Sequence, residues 1–257
     1  MKTDLRDKVV LVTGASSGIG RATAVAYGAE GARVAVTYHT GEERAQETAR
    51  LVAEAGGTPL VLRYDLADER SVRDAVSRIA EEWGRIDVLV ANAVVWSEAI
   101  PRPGRPVPRF EDIPPKQWQE VLRTSVDAVF HTIQAVLPLM RGCPWGRIVM
   151  IGAGLADTGK SGAGAYGAAK SALYGLTRSL AWELGPEGIL VNMVVPGQTL
   201  TETVLANVPA SFPEEKGRSL PSGRMSLPED VANAVVFLGS AANGNTHGET
   251  LRVTGGA

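Results

Sequence analysis

The sequence predicts an α/β fold: a single domain on one doubly wound parallel sheet of about seven strands. Short valine-rich runs alternate with stretches of helical period from one end of the chain to the other. A glycine-rich turn follows the first of these runs. The chain has 257 residues, 44% of them hydrophobic and 21% charged, which suits an ordinary globular protein with a large core.

Residues 9–13 (VVLVT) form a short apolar run of the kind that makes a strand buried on both faces. The turn Thr13-Gly14-Ala15-Ser16-Ser17-Gly18-Ile19-Gly20 comes next, and a helix begins near Ile19. Further strands are expected at Arg33–Tyr38, Leu60–Tyr64, Val88–Ala91, Arg147–Ile151 and Leu190–Val195, and a last one includes Leu251 and Val253. Between them Val72, Val76, Ile79 and Trp83 recur at helical spacing, as do Ala169, Leu173, Leu176, Leu180 and Leu184, and Val231, Val235 and Leu238. Gly31, Gly56 and Gly84 stand where helix stops belong. No repeat or linker divides residues 1–257.

Two stretches break the rhythm, within 94–116 and 198–227. Ile100–Pro115 carries six prolines with Arg102, Arg105 and Arg109, and Thr199–Leu227 contains Pro209, Pro213, Pro221 and Gly223. Both follow strands at the carboxyl edge, where open α/β sheets bind ligands, and both read as substrate loops. A solvated surface loop is the alternative.

A net charge of -2 and a pI near 6.0 supply no global field for nucleic acid or an anionic membrane. The N-terminus lacks the pattern of a signal peptide, and no apolar stretch approaches the ~20 residues of a membrane span. Cys143 is the only cysteine, so an intramolecular disulfide is impossible, and a cytoplasmic location is expected. No His/Asp/Glu cluster has metal-ligand spacing, and no metal is expected.

Gly14, Gly18 and Gly20 sit between the first strand and the first helix. Without Cβ atoms the backbone turns sharply there and a pyrophosphate can approach helix amides, whose dipole favours an anion. At the end of the second strand an acidic residue would bond a ribose 2′-OH and repel a 2′-phosphate. The chain instead reads Tyr38-His39-Thr40, with no carboxylate until Glu42. This favours NADP(H) over NAD(H), with His39 and Thr40 as candidate phosphate partners and Arg44 as a more distant one.

Tyr166 and Lys170 project from one helix face, a turn apart. A phenol of pKa near ~10 is a poor acid or base at neutral pH. An adjacent ammonium is expected to lower that pKa and bring the phenol into range for proton transfer.

This pair, with the turn 13–20, resembles the short-chain dehydrogenase/reductase family. The resemblance covers essentially the whole chain and implies a Rossmann-like fold and an NAD(P)H-dependent reductase, usually a dimer or tetramer through two long helices, here near Gln117–Met140 and Ala165–Leu184. The family tetrad is Asn, Ser, Tyr and Lys. The tyrosine passes a proton to the developing alkoxide, the lysine holds the ribose and depresses the tyrosine pKa, the serine bonds the carbonyl oxygen, and the asparagine holds a relay water. Tyr166 and Lys170 match two roles, whereas Ala153 stands at the serine position and Ser125 at the asparagine position. By the same resemblance the cofactor contacts are Gly14, Ser16, Ser17, Gly18, Ile19 and Gly20, then Asp65-Leu66 beside the adenine, Asn92, Pro196-Gly197 and Thr201, together with Tyr166 and Lys170. Val94 replaces the last glycine of the family's NNAG motif. Ser17 lacks the positive charge that often accompanies NADP preference in the family.

Ala153 can donate no hydrogen bond. Another hydroxyl can replace the serine, with Thr158, Ser161, Ser125 and Thr199 as candidates. Alternatively the substrate needs less polarisation, as an imine, an iminium or an activated C=C bond does, or the protein binds a dinucleotide for a non-redox purpose. The leading expectation is hydride transfer to a carbonyl of a small or medium organic substrate, with Tyr166, Lys170 and Ser125 as catalytic candidates. Trp96 is a candidate pocket wall. Trp118 and Trp182 read as packing residues, His131 as structural and His247 as a loop residue.

Overall fold

The computed structural model describes residues 2–95 and 107–257. Trp96, Arg102 and Arg105 lie outside the described residues. Seven strands make one parallel sheet: β1 (Val9–Val12), β2 (Arg33–Tyr38), β3 (Thr58–Arg63), β4 (Val88–Ala91), β5 (Gly146–Ile151), β6 (Ile189–Pro196) and β7 (Thr250–Val253). Their order is β3-β2-β1-β4-β5-β6-β7. The sheet is therefore wound outward in both directions from β1 and β4, the Rossmann-like topology that opens a crevice at the carboxyl ends of these two strands. Val12, the last residue of β1, pairs with Val36 of β2 on one side and Val90 of β4 on the other, so β1 ends between these two strands beneath that crevice.

Ten helices complete the described chain: α1 (Gly18–Ala29), α2 (Glu42–Glu54), α3 (Glu69–Trp83), α4 (Pro115–Leu122), α5 (Ala128–Met140), α6 (Leu155–Thr158), α7 (Gly164–Leu184), α8 (Glu202–Leu205), α9 (Phe212–Arg218) and α10 (Pro228–Leu238). Alternate residues of each strand face opposite ways. Val9 and Leu11 pack with Val76 and Ile79 of α3, Ile133 and Val136 of α5 and Leu173 of α7. Val10 and Val12 pack with Ala24 and Tyr27 of α1, Val52 of α2 and Val235 of α10. Both faces are thus covered, which is why the strands read as continuous apolar runs instead of alternating ones.

Local chemistry sets the helix limits. The Asp68 carboxylate caps α3 by accepting from Arg70 N at 2.9 Å, and Gly84 ends it at φ 73°, where a Cβ would be strained. The long helix expected over Gln117–Met140 is interrupted: a π-helical turn at Arg123–Asp127 separates α4 from α5. Such a turn inserts an extra residue and often marks a functional position.

Trp182 departs from expectation, being 88% exposed. The buried stripe of α7 runs through Leu173, Thr177, Ala181 and Leu184, whereas Trp182 continues the exposed stripe of Ser171, Gly175 and Arg178. Trp118 does pack, against Val121, Ala165 and Ala169. His247 is more than a loop residue. Its Nδ1 accepts from Val191 N at 3.0 Å and its Nε2 lies 2.7 Å from Ala181 O, so a neutral ring protonated at Nε2 ties α7 to β6. No described helix is long and apolar enough to cross a membrane.

Candidate active site

The turn after β1 is held by hydroxyls on both sides. Gly14 N donates to Thr37 Oγ1 at 3.0 Å, and that hydroxyl donates to Val12 O at 3.2 Å. Thr13 Oγ1 accepts from Asn92 N and Ala93 N, both at 2.9 Å, and donates to Val90 O at 3.3 Å. The Asn92 side-chain amide donates to Thr13 O at 2.9 Å and Gly14 O at 3.2 Å. Asn92 therefore fixes the shape of the turn. Gly14 and Gly18 have φ of 66° and 55°. A Cβ on Gly20 would stand 2.2 Å from Gly14 O and 2.6 Å from Asn92 Nδ2, so only glycine lets α1 approach the turn this closely.

A cavity of about 400 Å³ opens above this turn. Its walls include Gly14, Ser16, Ser17, Gly18, Ile19 and Gly20 at one end, and His39, Thr40 and Arg44 with Asp65 and Leu66 at the other. Asn92 and Thr201 line it as well, so these sequence-predicted positions converge from five segments of the chain. Asp65 is organised for its place: Oδ1 accepts from Ala67 N at 2.8 Å, and Oδ2 lies 3.3 Å from His39 Nε2. Arg44 reaches the same wall as His39 and Thr40, closer than the sequence suggests, with its guanidinium laid over Gly41, where a Cβ would stand 2.6 Å from Nη2. The shape suits an elongated, phosphate-bearing ligand whose charged centre lies at the N-terminus of α1.

Tyr166, Lys170, Ser125, Pro196 and Gly197, the other sequence-predicted positions, are not among the residues that line this cavity. Tyr166 is in the first turn of α7 and packs with Trp118, Leu122 and Val126 against Val121, Ala165 and Ala169. Burial pushes its phenol up to about 12. Lys170 is buried, donates from Nζ to Ile151 O at 2.8 Å, and is pushed by burial down to about 8. The expected lowering of the phenol is thus reversed. Its ring centre is 5.9 Å from Lys170 Nζ, and desolvation governs its pKa.

Ala153 is buried just past β5, and Gly154 N donates to Pro196 O at 2.9 Å, joining this loop to the end of β6. Gly197 N in turn donates to Val253 O at 2.9 Å. Ser125 is buried within the π-helical turn. Of the other candidate hydroxyls, Thr199 is buried but donates to Gly197 O at 3.1 Å. Thr158 is exposed on α6 and donates to Gly154 O at 3.3 Å, and Ser161 is exposed. Thr201 caps α8 by accepting from Val204 N at 3.3 Å. Sequence reasoning missed Thr37 and Glu202. A hydroxyl facing the turn from β2 is legible only once the strands are paired. Glu202 lies far along the chain from the α1 N-terminus, where Gly18 N donates to its Oε2 at 2.9 Å.

Comparison with known proteins agrees with this fold. Residues 14–257 match the family model described as Enoyl-(Acyl carrier protein) reductase. The chain is 36% identical to the acetoacetyl-CoA reductase of Rhizobium meliloti (strain 1021) over 249 residues, 97% of this chain and 98% of that protein. It is also 36% identical to the 3-oxoacyl-(acyl-carrier-protein) reductase of Escherichia coli (strain K12) over 251 residues, 97% of this chain and 96% of that one. Among solved structures, a 7α-hydroxysteroid dehydrogenase complexed with NADH and 7-oxo glycochenodeoxycholic acid superposes with a TM-score of 0.88 at 29% identity, covering 98% of this chain and 95% of that one. The chain belongs to the short-chain dehydrogenase/reductase family of NAD(P)H-dependent oxidoreductases.

Proposed function

We propose that this NAD(P)H-dependent carbonyl oxidoreductase uses NADPH in preference to NADH and reduces a carbonyl of a small or medium organic substrate, with Tyr166 as the proton donor. The observation that carries the reading is the placing of Tyr166 and Lys170 a turn apart on α7 in a chain whose glycine turn and 400 Å³ cavity suit a dinucleotide. Gly18 N would hold the pyrophosphate above a turn that Gly14 and Gly20 let pack tightly, Asp65 and Leu66 would flank the adenine, and Pro196, Gly197 and Thr201 would border the nicotinamide. His39, Thr40 and Arg44 would face a 2′-phosphate, which supports NADPH. When bound, the cofactor supplies a hydride to the carbonyl carbon. Tyr166 Oη donates its proton to the carbonyl oxygen as the alkoxide forms, and a phenol held near 12 is fully protonated for that step at neutral pH. Lys170, still mostly charged at pH 7, holds the ribose and stabilises the phenolate left behind.

Ala153 and Ser125 occupy the positions at which the family carries serine and asparagine. Loss of one oxyanion donor typically costs ~10²–10³ in kcat. Ser125, buried on the π-helical turn that packs near Tyr166, is our candidate for the relay position and for a replacement donor. The names of the two relatives make 3-oxoacyl thioesters the first substrates to assay. Ala153 favours a second reading, reduction of an imine or iminium, whose carbon already accepts hydride without a strong oxygen clamp.

Ala153→Ser separates the two readings. The carbonyl reading with a limiting donor expects turnover of 3-oxoacyl thioesters to rise about tenfold or more. Unchanged ketone turnover in a variant that reduces cyclic imines faster than any ketone would favour the iminium reading. We also propose that segment 198–227 walls the substrate, that the protein is cytoplasmic, and that it forms a homodimer or homotetramer; residues 96–106 of the expected loop 94–116 lie outside the described residues. The exposed Trp182 and Phe130 on the two long helical stretches support the assembly.

A further inference from the structure

We propose that Glu202 is a latch, an internal carboxylate that occupies the pyrophosphate position of the cradle and holds the substrate wall closed over it until cofactor displaces it. The proposal rests on the dinucleotide reading of the cradle. Helix α1 has no cap of its own: Ser17 makes no side-chain cap, and the first turn holds no acidic residue. The missing anion comes from across the crevice. Gly18 N donates to Glu202 Oε2 at 2.9 Å, and Arg21 Nη1 donates to Glu202 Oε1 at 2.9 Å. Arg21 is held in place for this contact, since Nη2 donates to Ser16 O at 2.8 Å and Nε to Thr48 Oγ1 at 3.2 Å. A carboxylate at a helix N-terminus, paired with a fixed guanidinium, has the chemistry of a bound phosphate.

Glu202 is the first residue of α8, in the segment that follows β6. The residue before it, Thr201, presses on the same glycine: its Cγ2 lies 3.1 Å from where a Cβ on Gly18 would stand. A pyrophosphate and the Glu202 carboxylate cannot share the Gly18 amide, because both are anions and the amide has one hydrogen. Entry of the cofactor therefore expels Glu202 and frees α8. The side chain is 55% exposed and has solvent to swing into. The cofactor binds first, the wall is rearranged second, and substrate meets the rearranged wall.

The test is affinity, measured by calorimetry on the full chain with NADPH, ADP and adenosine. Glu202→Gln removes the competing charge, and Glu202→Ala removes the side chain. The latch predicts that both variants bind NADPH and ADP about tenfold more tightly than wild type, while adenosine, which carries no phosphate, binds equally to all three proteins. Hydrogen exchange gives a second readout. ADP should increase exchange of residues 199–206 in wild type and leave it unchanged in Glu202→Ala, where the segment is already released. Equal or weaker ADP binding by both variants would overturn the latch, as would the same gain for adenosine. Failure of wild type to bind ADP or NADPH at all would instead overturn the dinucleotide reading, and the latch with it.

Discussion

Lys170 Nζ stands 5.9 Å from the centre of the Tyr166 ring and donates to Ile151 O, while burial drives both side chains toward their neutral forms. The phenol rises to about 12 and the ammonium falls to about 8. The proposed proton donor therefore keeps its proton throughout the neutral range, and the lysine is the group whose charge changes near it.

A pH dependence follows for the lysine. Above about 8 the folded chain loses the Lys170 charge, and with it the attraction for ribose oxygens and an incipient phenolate that we propose for this residue. The kcat/KM for NADPH, which reports the free enzyme, should fall as pH rises through about 8. Stability moves the other way. The folded value lies below the ordinary 10.5, so between about 8 and 10.5 the unfolded chain holds a proton that the folded chain has released. Stability contributed by this residue therefore rises across that window. Urea unfolding of wild type and Lys170→Met should show their difference narrowing from pH 8 to 10.5, and a constant difference would contradict the burial of a charged Lys170.

Gly20→Ala tests the cradle. Its Cβ would fall 2.2 Å from Gly14 O, and backbone cannot retreat there without breaking the Asn92 contacts. Overpacking of this kind costs about 1–3 kcal/mol. Thermal unfolding should show the loss of stability, and calorimetry should show NADPH binding weakened by about tenfold or more.

Arg44→Ala tests the cofactor preference. A charge-assisted hydrogen bond contributes about 1.5–3 kcal/mol. The KM for NADPH should rise about tenfold or more while that for NADH stays unchanged, as initial-rate kinetics with each cofactor would reveal. An equal change for both cofactors would place the 2′-phosphate elsewhere.

Much of this was legible in the sequence. A strand buried on both faces shows as an unbroken apolar run, so Val9–Val12 and Val88–Ala91 could be found by reading alone. Gly84 carries its structural role in its residue type. Trp182 misled because a large aromatic at helical spacing fits either stripe of α7, and only the packed sheet decides which stripe is buried. The phenol of Tyr166 misled because sequence spacing reports the nearby ammonium but not the desolvation around both groups. Glu202 was invisible for a third reason: its partners Gly18 and Arg21 belong to the other end of the chain, and only the crossing of the crevice brings them together.

The most direct test of the central claim is turnover of a 3-oxoacyl thioester by Tyr166→Phe, with NADPH affinity measured on the same protein. Proton donation by Tyr166 predicts a loss of about 10²–10⁴ in kcat with NADPH binding retained within a few fold. Turnover within a few fold of wild type would show that the proton comes from elsewhere and would contradict the account.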